Sequence, residues 1–289
     1  MGLDAPAVMW LFGSKARGVD FSSLATLGRQ GFFPEPGALQ SVFDRLSLGL
    51  DAAAFLRESE GYGEKFFGVL GAEHVTSFDK SDYQVASILH DLNTPIDASL
   101  KKRFSAVLDC GTIEHVFNFP QAIRNCMEMV KVGGHFMQIT VANNFIGHGF
   151  YQFSPEVIFR VFSEANGFAV DAVVLHEMLA GGNWYRMRDS VEVGHRIELT
   201  TRSPSYLLTL AKKTADVPIF ARWPQQADYI AMWQGSATGS GAPPPPGARR
   251  RMREMVPVGA VRAIRRLCGP GINSAVDRLT DEAVIHGRF

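Results

Sequence analysis

The chain has 289 residues, 46% of them hydrophobic and 20% charged, enough apolar material for one large globular domain with appendages. Lysine plus arginine (29) balances aspartate plus glutamate (29), so the chain as a whole lacks the basic signature of a nucleic-acid binder. The three cysteines, Cys110, Cys126 and Cys268, are too scattered for a disulfide framework and include no Cys-x-x-Cys pair, which points to reduced thiols in a cytoplasmic protein.

Residues 5–12 are mildly apolar but lack the basic start and small-residue cleavage site of a secretory signal. No run approaches the ~20 apolar residues needed to cross a bilayer. Residues 21–27 (FSSLATL) form a short apolar run ended by Gly28, the pattern of a buried strand and tight turn. Residues 38–48 place Leu39, Val42, Phe43 and Leu46 at helical spacing. A second helix is expected over 64–70, stopped by Gly71. Strands follow at 74–78, ending at Asp79, and more weakly at 86–90, ending at Asp91. A strong strand at 104–108 ends at Asp109.

Helix 121–130 closes at Gly133 and Gly134, before a strand at 136–141. Residues 155–166 read as a helix with Ser154 as N-cap and Gly167 past its end. Strands at 168–175 and 206–211 lack a long crossover helix between them, which suggests an antiparallel edge pair. Strands alternating with helices predict an α/β fold: a doubly wound, mainly parallel, seven-stranded Rossmann-like sheet with an antiparallel edge strand.

In such sheets ligands sit beyond the carboxyl ends of the strands, where the strand order reverses. Gly28, Asp79, Asp91 and Asp109 all fall there. An acid after the second strand suits the hydroxyls of a ribose, and one after the third suits an adenine amino group. Each is also a common local cap, and it is three acids on one rim that favour a binding role. The most specific stretch is 107–118 (VLDCGTIEHVFN), a strand running into Asp-Cys-Gly-Thr and then Ile-Glu-His. His115 there suits general base chemistry near neutral pH, or simple packing, about equally. Residues 143–151 (NNFIGHGFY) offer an amide pair, a glycine-flanked His148 and Tyr151, an arrangement that suits an acceptor site a little better than a purely structural loop. The other histidines, His74, His90, His135, His176, His195 and His286, show no ligand spacing, and no metal is expected.

VLDCGTIEHV followed by VKVGGHFMQIT resembles the fourth and fifth strand motifs of class I S-adenosylmethionine-dependent methyltransferases. FDKSDY and ILHDLNTPI resemble that family's ribose and adenine segments. A narrower likeness is to bacterial methyltransferase-like proteins with a GHGFYQFSP segment, here within 143–155. The resemblance covers residues 21–213 and implies S-adenosylmethionine as cofactor. It implies that Asp79 holds the ribose, that Asp91 and Leu92 flank the adenine, and that Asp109, Gly111 and Thr112 border the methionine part. His115, His148 and Tyr151 become proton-acceptor candidates for a small-molecule hydroxyl or amine. A sugar or glycolipid precursor is expected by analogy alone. One departure stands out: the family's Asp/Glu-x-Gly-x-Gly turn is replaced by TLGRQG at 26–31, with no acid before the turn and side chains where the cofactor would lie. Either Arg29 or Gln30 meets the donor carboxylate from a rebuilt turn, or the chain is a catalytically inactive binding or scaffold protein.

Three parts are expected: a methyltransferase-like domain at 1–233, a Gly/Ser/Pro-rich linker at 234–248 and a basic amphipathic segment at 249–289. Such a segment either lies on an anionic membrane surface, giving peripheral contact at the inner membrane face, or packs back on the domain as a solvated helix.

Overall fold

The computed structural model describes residues 2–179, 181–230, 233 and 274–289. The elements run α1 (Ala5–Ala16), β1 (Ser23–Leu27), α2 (Pro36–Arg45), α3 (Ala52–Glu58), α4 (Glu64–Val69), β2 (His74–Asp79) and β3 (Ile88–Leu89). They continue with β4 (Phe104–Cys110), α5 (Phe119–Met129), β5 (Val130–Asn143), α6 (Pro155–Val161), β6 (Phe168–Glu177), β7 (Trp184–Met187) and α7 (Ser190–Val193). The last are β8 (Ser205–Lys213), β9 (Val276–Leu279) and α8 (Asp281–Ile285).

Among the described residues nine strands form one sheet, in the order β3-β2-β1-β4-β5-β8-β6-β7-β9. β3, β2, β1, β4 and β5 are parallel. β8 is antiparallel to both β5 and β6. β7 and β9 extend the far edge as antiparallel strands. The sequence pattern had suggested seven strands with an antiparallel strand at the edge. Instead β8 lies inside the sheet, and the edge is made by β7 and β9. Both were hidden: β7 is four residues after a glycine-rich loop, and β9 lies far downstream of its partner.

Burial explains the layering. β4 is buried at every position, as a strand covered on both faces must be. Alternate residues feed two separate cores. Leu24, Ala106, Leu108, Met137 and Ile139 join α1 to α4 and α8 on one face. Ala25, Leu27, Val107 and Phe136 join α5 and α6 on the other. Three short helices, α2, α3 and α4, fill the crossover between β1 and β2. This accounts for the long chain separation between Gly28 and Asp79. The capping is conventional: Asp4, Glu35 and Asp51 each accept the backbone N–H three residues on. Ser154 precedes α6 without a side-chain cap, and the expected longer helix divides into α6 and a 3-10 turn over Glu164–Asn166.

Residues 5–12 form the core of α1, with Val8, Trp10 and Leu11 fully buried. Across them lies the chain's last segment. Phe289 stacks on Trp10 at 4.4 Å between ring centroids, and Arg17 donates to the Phe289 carbonyl at 2.9 Å. Residues 274–289 therefore belong to the α/β body and not to a separate basic segment. Their pattern, with Val276, Val284 and Ile285 buried, is that of a strand and helix covering an apolar edge. The linker at 234–248 and the arginine-rich residues 249–266 lie outside the described residues. Ile285→Val is expected to cost about 1 kcal/mol, read as a lower denaturant midpoint with an unchanged slope. An unaltered midpoint would mean that α8 does not dock in solution.

Candidate active site

The registers bring the strand ends level. Leu27 of β1 pairs with Phe78 of β2 on one side and with Asp109 of β4 on the other. From β1 the chain moves outward to β2 and β3, then returns across β1 to β4 and β5. This is the switch point of a doubly wound Rossmann-like α/β sheet. Its mouth lies between the ends of β1 and β4.

Both turns at that mouth use glycine in the left-handed region, Gly28 at φ 74° and Gly111 at φ 83°. A side chain at Gly28 would be strained, and its Cβ would meet the Thr112 hydroxyl at 3.3 Å. Thr112 ties the two turns together by donating to the Leu27 carbonyl at 2.8 Å. Asp79 ends β2 half-buried, with one oxygen accepting from the Ser81 amide at 3.1 Å. Asp91 follows β3 on the same edge, where Lys80 meets it at 3.0 Å. Hydrogen bonds from the Asn93 backbone and side chain, and from Lys80, hold the Asp91 carboxyl down at about 2. Asp91 is thus a firm anion that also closes a local turn.

Three expected donor-site residues are placed differently from the expectation. Asp109 is fully buried inside β4 and not on the rim. Its carboxylate accepts from the amides of Thr112 and Ile113 and from Gln138 Nε2, so it shapes the turn from beneath. Burial, and then the charge of Glu114, push its carboxyl up to about 7. Leu92 points into the core at 5% exposure. Arg29 pairs with Glu64 at 2.6 Å, stacks over the Tyr62 ring at 3.8 Å and reaches the Gln84 carbonyl at 3.4 Å. Its guanidinium is thus committed to Glu64, Tyr62 and Gln84.

The rebuilt turn has a support that no motif disclosed. Residues 2–4 run alongside it, with Leu3 N–H donating to the Gly31 carbonyl and Phe33 N–H donating to the Leu3 carbonyl. Gln30 is buried and donates to the Leu27 carbonyl. Other residues missed by sequence reasoning are Gln138 and Thr140, polar positions inside a strand that reads as apolar. Each reaches an acid from the β4 end: Gln138 reaches Asp109, and Thr140 donates to Glu114 at 3.0 Å.

After β4 comes a single 3-10 turn, Ile113–His115, and α5 starts at Phe119, two residues before the helix expected over 121–130. That turn buries Glu114 and leaves His115 exposed. The loop after β5 folds onto it: the amides of Phe150 and Tyr151 both donate to the Glu114 carbonyl, at 2.7 and 3.3 Å. His148 consequently faces His115, with ring centroids 4.8 Å apart. Desolvation lowers both imidazoles below their usual range, in His115 assisted by the neighbouring His148, so both are neutral near pH 7. Tyr151 is engaged elsewhere, its hydroxyl donating to the Phe117 carbonyl at 2.7 Å.

The approach of this loop depends on Gly149, at φ 66°, where a Cβ would fall 2.7 Å from the Glu114 carbonyl oxygen. Gly149→Ala is expected to cost about 1–3 kcal/mol, measured by thermal melting. Retained stability would show that the loop can stand away from Glu114. A separate cavity of about 530 Å³ opens between the start of α6 and residues 190–197 and 226–230. It lies away from the switch point, and its lining includes neither the two site histidines nor the rim acids.

No family model and no curated protein matches the sequence. Solved structures with a similar chain course include a 1,6-didemethyltoxoflavin-N1-methyltransferase from Burkholderia thailandensis, with 1,6-didemethyltoxoflavin and S-adenosylhomocysteine bound. It is 13% identical over 72% of this chain and 79% of that one, with a TM-score of 0.38. A SAM-dependent methyltransferase from Thermotoga maritima is 13% identical over 72% and 89%, with a TM-score of 0.37. These likenesses are loose, and it is the strand order itself that defines the fold.

Proposed function

We propose that the protein transfers a methyl group from S-adenosylmethionine to a hydroxyl or amine of a small molecule, a sugar or glycolipid precursor being the acceptor class expected. The observation that carries this reading is the alignment of four features on one sheet edge. Two left-handed glycine turns meet at the switch point, and two acids lie beside it, Asp79 at the end of β2 and Asp91 just after β3. The glycines leave room for close backbone approach to a ligand. Asp79 suits a ribose diol, and Asp91, with the backbone at Leu92, suits an adenine edge.

The donor sulfonium is already reactive, so positioning supplies most of the gain, up to ~7–11 kcal/mol. His115, after β4, and His148, in the loop after β5, face each other as neutral imidazoles suited to receive a proton from the acceptor. Tyr151 serves this role less well, because its hydroxyl is tied to a backbone carbonyl. Titration calorimetry with S-adenosylmethionine and S-adenosylhomocysteine tests the reading, with binding of both expected. Absence of heat and of any thermal shift would overturn it.

A second reading, a binding or scaffold protein without catalysis, is favoured by the first turn. There Gln30 fills space usually left to glycine, and Arg29 is committed to Glu64 and Tyr62. A folded protein that ignores both donor forms would support it.

A further inference from the structure

Glu114 is buried to 0% exposure in the turn after β4, yet only one of its carboxylate oxygens accepts a hydrogen bond. Oε2 accepts from the Thr140 hydroxyl, while Oε1 is sealed from solvent without a hydrogen-bond partner. His148 Nε2 lies 3.6 Å from Oε1 and likewise is buried and makes no hydrogen bond. His115 closes the third side from the exposed rim. One donor atom from each of the three residues lies within 4.8 Å of the others.

Glu114 Oε1 and His148 Nε2 face each other at ion-pair distance but beyond a hydrogen bond, and a buried polar group left without a hydrogen bond costs about 1–3 kcal/mol. The surrounding backbone holds them there. Glu114 is fixed by Thr140 and by the loop amides on its carbonyl. His148 is fixed by the Gly149 contact and by the edge of Phe145, 5.7 Å away. Their arrangement answers to a ligand that accepts electron pairs from both.

We propose that Glu114, His115 and His148 bind a single divalent first-row transition metal ion, of the Mn²⁺ to Zn²⁺ series. Two imidazoles and one carboxylate on one side of an ion are a ligand set of that class and leave further positions open. Bonds of about 2.1 Å place neighbouring ligand atoms about 3.0–3.4 Å apart. The Glu114–His148 pair is already near that spacing at 3.6 Å, and the exposed His115 ring would have to turn inward to complete the set. The spacing in the sequence conceals the site, because Glu114 and His115 follow β4 whereas His148 follows β5. If the methyl-transfer reading holds, the open positions face an acceptor oxygen. An ion held there would lower that oxygen's proton affinity so that its proton leaves to solvent, and the two histidines would then serve as ligands in place of the base role described above. Metal binding itself does not depend on that reading.

The test uses the full chain, free of any histidine tag, stripped with chelator and without S-adenosylmethionine. Titration calorimetry and visible absorption with Co²⁺, repeated with Zn²⁺, Mn²⁺, Mg²⁺ and Ca²⁺, should give one tight equivalent for the transition metals. His115→Ala, an exposed change that leaves the core intact, should weaken Co²⁺ binding tenfold or more, and so should His148→Ala. His74→Ala, outside the site, should leave it unaltered. Absence of a stoichiometric Co²⁺ complex, or equal affinity in the His115 and His148 variants, would overturn the proposal and leave a proton shared between Glu114 and His148. Donor binding is measured separately on the stripped protein, so either idea can fail without the other.

Discussion

Asp109→Ala is expected to destabilise the protein by about 3–5 kcal/mol. The change removes one acceptor group from three donors in a fully buried place: the amides of Thr112 and Ile113 and the Gln138 side chain. Each buried donor left unpaired costs about 1–3 kcal/mol. The melting temperature should fall by roughly 5–10 °C or more. Asp109→Asn should be far milder. Its oxygen can keep the two amides, and Gln138 can turn its amide so that Oε1, now without a partner, faces the new NH₂. The pair also differ in pH dependence. The Asp109 carboxyl is raised from an ordinary value of 3.8 to about 7, so the folded form holds more protons across that interval. Its contribution to stability is complete below about pH 4 and is lost as pH climbs through about 7. Glu114 is raised by burial and adds a slope of the same sign. Stability profiles between pH 4 and 8 should therefore be shallower in Asp109→Asn than in the parent, though not flat. Identical profiles would show that Asp109 is ionised throughout, held by its three donors.

The second large effect concerns the donor. Asp79→Ala should weaken S-adenosylmethionine binding about ten- to a hundredfold, because a hydrogen bond to a charged acceptor is worth ~1.5–3 kcal/mol. Stability should change little, since the side chain is half-exposed and makes one local bond, to the Ser81 amide. Calorimetry on the variant, with melting as the control for folding, separates the two. Unchanged affinity in a folded variant would mean that the ribose does not rest on β2. Asp91→Ala is a harsher local change, because Asn93 and Lys80 both lose their partner.

The sequence by itself determined the alternation of the central body. The apolar runs of β1, β2, β4 and β5 and the helical spacing of α2 and α5 follow from burial on two faces, and that periodicity is written residue by residue. It also determined that Gly28, Asp79 and Asp91 follow strand ends, because a strand end is a local event. Tertiary structure alone decided which polar groups face out and which are buried. Asp79 and Asp109 both belong to strand ends, yet one reaches the rim and the other is sealed beneath it by Gln138 and two amides. Only the folded chain brings β9 and α8 back to the first helix, sets residues 2–4 against the rebuilt turn and lays His148 over Glu114. These pairings join segments far apart in the chain. Their energy lies in desolvation and close approach, and neither leaves a period in the sequence.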